Sequence, residues 1–206
     1  ADLDKLAELL RGRDVYVISD EVYEHLIFDG QRHASVLAHD ELYQRAFVVS
    51  SFGKTYHVTG WKTGYVVAPP ALTAELRKIH QYVNFCGVTP LQFGLADFMA
   101  AHPEHVEELP AFYQAKRDLF CDLLAGSRFT FTRAPGTYFQ LADYSAIRPD
   151  LDDVAMAEWL TREQGVAAIP ISVFYQAPPK DLRLVRFCFA KREETLRQAA
   201  EKLCAI

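Results

Sequence analysis

Lys54 lies in the stretch Ser50 to Tyr65, SSFGKTYHVTGWKTGY, with a hydroxyl, Ser51, three residues before it and a second cation, Lys62, eight residues after it. A neutral lysine amine attacks a carbonyl and forms a Schiff base, and partial withdrawal from water favours the neutral form. Ser51 and Lys62 supply a hydroxyl donor and an ammonium point charge, two groups suited to a phosphate. One small pocket with these groups would hold an aldehyde and an anion together. Asp20, in DVYVISDEVY from Asp14 to Tyr23, is a carboxylate able to pair with a protonated pyridine nitrogen. Tyr23 could hydrogen-bond a ring oxygen. Arg186, in DLRLVRFCFA from Asp181 to Ala190, shares a strand face with Leu182, Leu184 and Cys188, while Arg183 falls on the other. A guanidinium in an apolar row needs an anionic partner, and a substrate carboxylate gripped by two parallel hydrogen bonds is one.

Each residue also has a plainer reading. Lysines are most often solvated surface groups, Asp20 could cap whatever follows it, Tyr23 could be a packing aromatic, and Arg186 could belong to an internal ion pair. Gly53-Lys54-Thr55 resembles the end of a nucleotide-binding Walker A loop, but that loop requires a glycine five residues before Gly53, where Val48 stands. Phe52, Tyr56, Trp61, Phe174 and Tyr175 suit an aromatic or long apolar side-chain pocket, though core packing explains aromatics equally well.

The elements that must position these groups follow from the hydrophobic pattern. Leu3 to Leu10 reads as a short helix leading into an apolar strand at Val15 to Ile18. Further strands are predicted at Ala46 to Ser50 and Gly64 to Ala68. Asp20 and Lys54 then follow strand carboxyl ends, where open α/β sheets bind ligands. A helical stretch over Leu72 to about Ala101 is bent near Gly87 to Pro90, and a further helix spans Pro103 to Leu124. The remainder reads as α+β. Its strands fall near Phe129 to Thr132, Thr137 to Leu141, Val166 to Ile169 and Leu182 to Phe189. Its helices are Asp152 to Glu163, capped by Asp150 with Asp153 in the first turn, and Arg192 to Leu203.

Taken together, SDEVY at Ser19 to Tyr23, SFGKTYHVTGWKTGY at Ser51 to Tyr65, PGTYF at Pro135 to Phe139, and IPISVFY and VRFCFAK near the end give a specific resemblance. Essentially the whole chain resembles the C-terminal half of a class I/II, fold-type I, pyridoxal-phosphate-dependent aminotransferase. Glycine before the lysine, and GWK where many members have GxR, is similar to the kynurenine/glutamine and methionine aminotransferase branch. The resemblance implies that Lys54 forms the Schiff base with pyridoxal 5'-phosphate and later shuttles the substrate α-proton. It implies that Asp20 pairs with the pyridine nitrogen, Tyr23 with the ring oxygen, Ser51 and Lys62 with the phosphate, and Arg186 with the substrate α-carboxylate. Amino acids and 2-oxo acids would be the substrates, with a homodimer as the full-length form. The implied fold is α/β, with residues 1–95 the remaining part of a cofactor-binding large domain on a mixed, mostly parallel sheet, and 96–206 an α+β small domain. Family members commonly have nearly double the 206 residues here. The chain, which opens at Ala1 and enters a helix at once, is therefore expected to be a fragment, inactive on its own. A C–S β-lyase on the same scaffold and a non-catalytic ligand-sensing domain of a transcription regulator are the alternatives.

A net charge of −5 leaves no basic stripe, which argues against nucleic acid or an anionic membrane as partner. No apolar run is long enough for a membrane span and no signal peptide is visible, so the expected setting is cytoplasmic. Cys86, Cys121, Cys188 and Cys204 form no C-x-x-C pair and read as free thiols. His102 and His105 flank Pro103 and Glu104, where a helix start explains the residues better than a metal; no metal is expected.

Overall fold

The computed structural model describes residues 2–206, which divide into two compact units, one up to residue 109 and one from 110 to 206. In the first, helix α1 (Asp2–Leu10) carries apolar residues at Leu3, Leu6, Ala7 and Leu10, the spacing of a single helix face. That face packs with Val36, Leu42, Ala46 and Val48 into a small core. Strand β1 (Val17–Asp20) follows, then a short helix α2 (Asp40–Tyr43) and strand β2 (Ala46–Ser51). Strand β1 starts two residues later than the hydrophobic run Val15 to Ile18 predicts, because pairing begins where Val17 meets Ala46; Asp20 is therefore its last residue. Helix α3 (Phe52–Thr55) continues directly from β2, and strand β3 (Gly64–Val67) returns beside it. The sheet order is β1-β2-β3, with β1 parallel and β3 antiparallel to β2.

Central strand β2 alternates buried and half-buried residues, as a strand covered on one face should. Its neighbours are open: Ile18 on β1 is 76% exposed and every residue of β3 is exposed. Helices α4 (Pro70–Val83) and α5 (Thr89–Ala101) are separated at residues 84–88, where Pro90 limits the preceding backbone and Phe85 adopts a positive φ of 59°. Helix α6 (Glu104–Leu124) contains Pro110, the first residue of the second unit.

The second unit is built on an antiparallel sheet of strands β4 (Phe139–Asp143), β5 (Ile169–Pro170) and β6 (Leu184–Cys188) in the order β4-β6-β5. Helices α7 (Asp153–Arg162) and α8 (Glu193–Cys204) complete it. Phe120 and Phe129 meet Phe187 edge-on at 5.9 and 5.6 Å in its core. Inside it the Gln140 amide donates to the Thr132 and Leu141 carbonyls and accepts from the Ala134 amide. The buried Arg117 guanidinium donates to Asp118 and to the Ala134 carbonyl.

Three local expectations are corrected here. Asp150 does not cap α7; it takes the Arg148 guanidinium, while Asp152 accepts from the Ala155 amide at 2.8 Å and starts the helix. Residues 129–132 form only a single bridge, Thr130 to Asp143. Strand β5 begins no earlier than Ile169. The preceding residues complete a helix stop, with the Val166 amide donating to the Leu160 carbonyl and Gly165 at φ 65°. Among the described residues no helix is long and apolar enough to cross a membrane, no group of three or more metal-ligand side chains is assembled, and all four cysteines are free thiols.

Candidate functional site

The sheet register gathers the chemistry of the first unit at one edge. Because β1 and β2 run parallel with Asp20 beside Val49, both strands end there. Because β3 runs back with Gly64 beside Ser51, it begins there. Lys54 sits on α3, which leaves β2 at this edge, and Lys62 lies two residues before β3 starts. Tyr23 follows Asp20 in a turn closed by the Glu24 amide donating to the Glu21 carbonyl at 3.0 Å. Five sequence-predicted residues, Asp20, Tyr23, Ser51, Lys54 and Lys62, thus come from three segments that meet at one side of one sheet. Arg186 belongs to the second unit, on β6.

Two glycines make the arrangement possible. A Cβ on Gly53 would stand 2.8 Å from the Thr59 Cα, and one on Gly64 would stand 2.5 Å from the Ser50 carbonyl oxygen. Neither position accommodates a side chain without moving backbone. The close approach at Gly53 is reinforced by the Thr59 hydroxyl, which donates to the Gly53 carbonyl at 3.2 Å. Ser51 caps α3 by accepting from the Gly53 amide at 3.1 Å. The short helix that carries Lys54 is therefore fixed at its start by Ser51 and on its flank by residues 59–61. Lys62 ends that flanking turn in the left-handed region, φ 53° and ψ 35°. A lysine rarely adopts that conformation, and strain of this kind concentrates at functional sites.

The two cations are uncommitted. Neither the half-buried Lys54 amine nor the exposed Lys62 ammonium makes a hydrogen bond or ion pair with the described residues. Asp20 is exposed, and one carboxylate oxygen accepts from the Val22 amide at 3.2 Å, so it braces its own turn as well. Beside it, Glu21 is buried and accepts from the Ser19 hydroxyl, the Val36 amide and the His33 ring. Burial alone would raise this carboxyl, but the bonds from His33, Ser35 and Val36 outweigh it and leave it below the usual glutamate range. Glu24 accepts from Ser50 and Tyr65. Behind α3, the His105 ring donates from Nε2 to the Thr55 carbonyl at 2.7 Å and stacks on Tyr56 at 5.2 Å. Desolvation raises the Tyr56 phenol, and desolvation together with the neighbouring His105 lowers His57. His102 pairs with Glu104 at 3.0 Å.

On β6, alternation puts Arg186 on the half-buried face with Leu184 and Cys188, while Val185 and Phe187 go into the core. The guanidinium carbon lies 4.0 Å from the Phe139 ring centroid and 5.0 Å from that of Phe174. Its Nε is buried without a hydrogen-bond partner, and no carboxylate of the described residues pairs with it. The internal ion pair left open by the sequence is thus not formed. A buried donor without a partner costs about 1–3 kcal/mol, which a carboxylate ligand would recover. Phe139 and Phe174 flank this guanidinium. Phe174 was legible only as one of several aromatics, and Phe139 only as part of a motif, since cross-strand stacking has no local signature. Glu24 carried no local signal and His105 was read only as part of a helix start, because their partners here lie 26 and 50 positions away.

The donor set suits a phosphorylated pyridine aldehyde. Lys54 could offer an amine to the aldehyde, Asp20 a carboxylate to the ring nitrogen, Tyr23 a hydroxyl to the ring oxygen, and Ser51 and Lys62 a donor and a charge to the phosphate.

Comparison with known proteins shows the family to which the chain is related. Residues 1–203 match the family described as aminotransferase class I and II. The chain is 55% identical over 203 residues to a methionine aminotransferase from Escherichia coli K12, covering 98% of this chain and 52% of the relative. To kynurenine--oxoglutarate transaminase 3 from Rattus norvegicus it is 34% identical, covering 97% of this chain and 48% of that one. Among solved structures, an Escherichia coli protein with a methionine aminotransferase function superposes with a TM-score of 0.94 at 54% identity, over 100% of this chain and 54% of that one. N-succinyldiaminopimelate aminotransferase from Mycobacterium tuberculosis superposes with a TM-score of 0.89 at 35% identity, over 98% and 53%. The chain spans about half the length of the curated relatives it matches.

Proposed function

The chain belongs to the aminotransferase class I and II family, a pyridoxal-phosphate-dependent family of fold type I, and from that premise we propose that its full-length form moves an amino group between an amino acid and a 2-oxo acid. The observation that carries the reading is the shared sheet edge, where an unpaired lysine amine, an unpaired ammonium, a carboxylate and two hydroxyls converge from β1, β2 and β3. When bound, pyridoxal 5'-phosphate supplies an aldehyde that takes up the amino group and a ring that accepts electron density from the substrate α-carbon. Lys54 would hold that aldehyde carbon through Nζ, and, once displaced by substrate, use the same nitrogen to remove and return the α-proton. Asp20 would keep the ring nitrogen protonated, and Tyr23 would donate to the ring oxygen. Ser51 and Lys62 would hold the phosphate, with Lys62 acting as a single charge where a guanidinium would offer a fork. Arg186 would grip the α-carboxylate of either substrate.

Residues 1–95 are assigned to the cofactor-binding part and 96–206 to the C-terminal small domain. The amino donor is proposed to be aromatic or resembling methionine or glutamine. Supporting this are the activities for which the relatives are named and the two phenyl rings beside Arg186. Since the relatives are about twice as long, the isolated 206 residues are expected to be inactive, and tests belong to the full-length protein. Loading that protein with pyridoxal phosphate, reducing it with borohydride and mapping the peptides should put the label on Lys54. A label on another lysine, or none, would overturn the site.

The full-length form is further proposed to be a homodimer, with α4 and α5 contributing to the contact. Supporting this, Tyr82, 84% exposed, and Phe85, 78% exposed, are large apolar residues left open together with Ile79, Val83, Val88 and Phe93 on α4, on α5 and between them. Sedimentation should give a dimer for the parent and a shift towards monomer for a Tyr82→Glu, Phe85→Glu variant. A monomeric parent would refute this assembly.

A further inference from the structure

Glu24 takes no part in the chemistry proposed above, yet it joins the three segments that carry that chemistry. It follows Tyr23 directly, in the turn that begins at Asp20. Its Oε1 accepts from the Ser50 hydroxyl at 2.8 Å and from the Tyr65 hydroxyl. Ser50, only 4% exposed, is the residue before Ser51 at the end of β2; Tyr65 lies three residues beyond Lys62 and is Ser50's cross-strand partner in β3. One carboxylate oxygen therefore ties the Asp20–Tyr23 turn to the β2 end that leads to Lys54 and to the β3 start that follows Lys62.

We propose that Glu24 is a positioning residue that sets the spacing between the ring-binding pair, Asp20 and Tyr23, and the amine and phosphate-binding groups, Ser51, Lys54 and Lys62. A cofactor held at both ends demands that this spacing be fixed, since a displacement of the turn by about an ångström would loosen one end while the other stayed seated. Beside this carboxylate, the turn is also joined to β2 by the Glu21 amide, which donates to the Val49 carbonyl at 2.8 Å. The Tyr65 phenol is suited to remain a donor: burial, and the bond to Glu24 after it, raise its pKa. Both hydroxyls donate to the same oxygen, with the His25 ring nitrogen 3.7 Å from it, so the two hydroxyl bonds require one well-placed acceptor. Glutamine keeps such an oxygen; alanine does not.

This inference rests on the cofactor reading above, and the test separates the two. In the full-length protein, the dissociation constant for pyridoxal phosphate is measured by absorbance titration, together with the melting temperature of the cofactor-free protein. Glu24→Ala should raise the dissociation constant at least about ten-fold. Glu24→Gln should remain within about three-fold of wild type, with both apoproteins melting near the wild-type temperature. Should Glu24→Ala fail to fold, the pair Ser50→Ala and Tyr65→Phe, which removes the donors instead, should reproduce the weakened binding. A wild-type parent that binds no pyridoxal phosphate would refute the cofactor reading itself. With a binding parent, unchanged affinity in Glu24→Ala or in the donor pair, or an equal loss in Glu24→Gln and Glu24→Ala, would refute the positioning role.

Discussion

Replacing Lys54 with alanine in the full-length enzyme is expected to lower the rate of amino-group transfer by at least about a thousand-fold, while leaving the fold and the noncovalent affinity for pyridoxal phosphate largely intact. The size follows from the two tasks given to one nitrogen: covalent attachment of the cofactor and transfer of the α-proton, the second of which alone contributes about 10²–10⁴-fold in enzymes. The selectivity follows from geometry. Lys54 makes no hydrogen bond or ion pair with the described residues, whereas the turn that carries it is held by Ser51 at its cap, by the Thr59 hydroxyl and by the His105 ring. Truncating the side chain therefore removes a reagent and leaves its mount. Stopped-flow measurement of the half-reaction with methionine checks this, alongside a thermal melt. A rate within ten-fold of wild type would remove Lys54 from the mechanism, and a collapsed melting temperature would make it structural.

Arg186→Ala is expected to act on capture. The guanidinium lies over Phe139 and Phe174 with its Nε buried and unpartnered, so the group most able to satisfy it is a ligand carboxylate. Removing one partner of a buried, hydrogen-bonded charge pair costs about 2–5 kcal/mol, which is roughly 30-fold to several-thousand-fold in affinity. The loss should appear as a raised KM for the amino acid and the 2-oxo acid alike, because both carry the same carboxylate, with a smaller change in kcat. Arg186→Lys should recover only part, since an ammonium cannot form two parallel bonds to a carboxylate. Steady-state kinetics with both substrates decides the matter; unchanged KM values would assign Arg186 to packing against the two rings.

Much of this was legible in the chain because the signals are local. Ala46 to Val49 is an apolar β-rich run, so a strand there and a turn bearing Lys54 follow from a handful of consecutive residues. The face of Arg186 follows from the period of two along β6. What escaped depends on distant partners. Asp153 could be read as a first-turn acid of α7, yet its carboxylate reaches the Ile171 and Ser172 amides, both at 2.6 Å, and fixes the entry to the Phe174 turn. Thr137, expected to open a strand, has a φ of 66°, and regular pairing starts only at Phe139. Asp150 and Asp152 are equally good caps by composition, and only the nearby Arg148 decides between them. Glu24 has no local signature, because its partners Ser50 and Tyr65 stand on other strands.

The backbone crowding at Gly53 and Gly64 bears on how such an enzyme can be redesigned. In mutant libraries built to accept new amino donors, a codon that adds even a methyl group at either glycine must displace main chain near the lysine, so those two positions are best held constant from the outset.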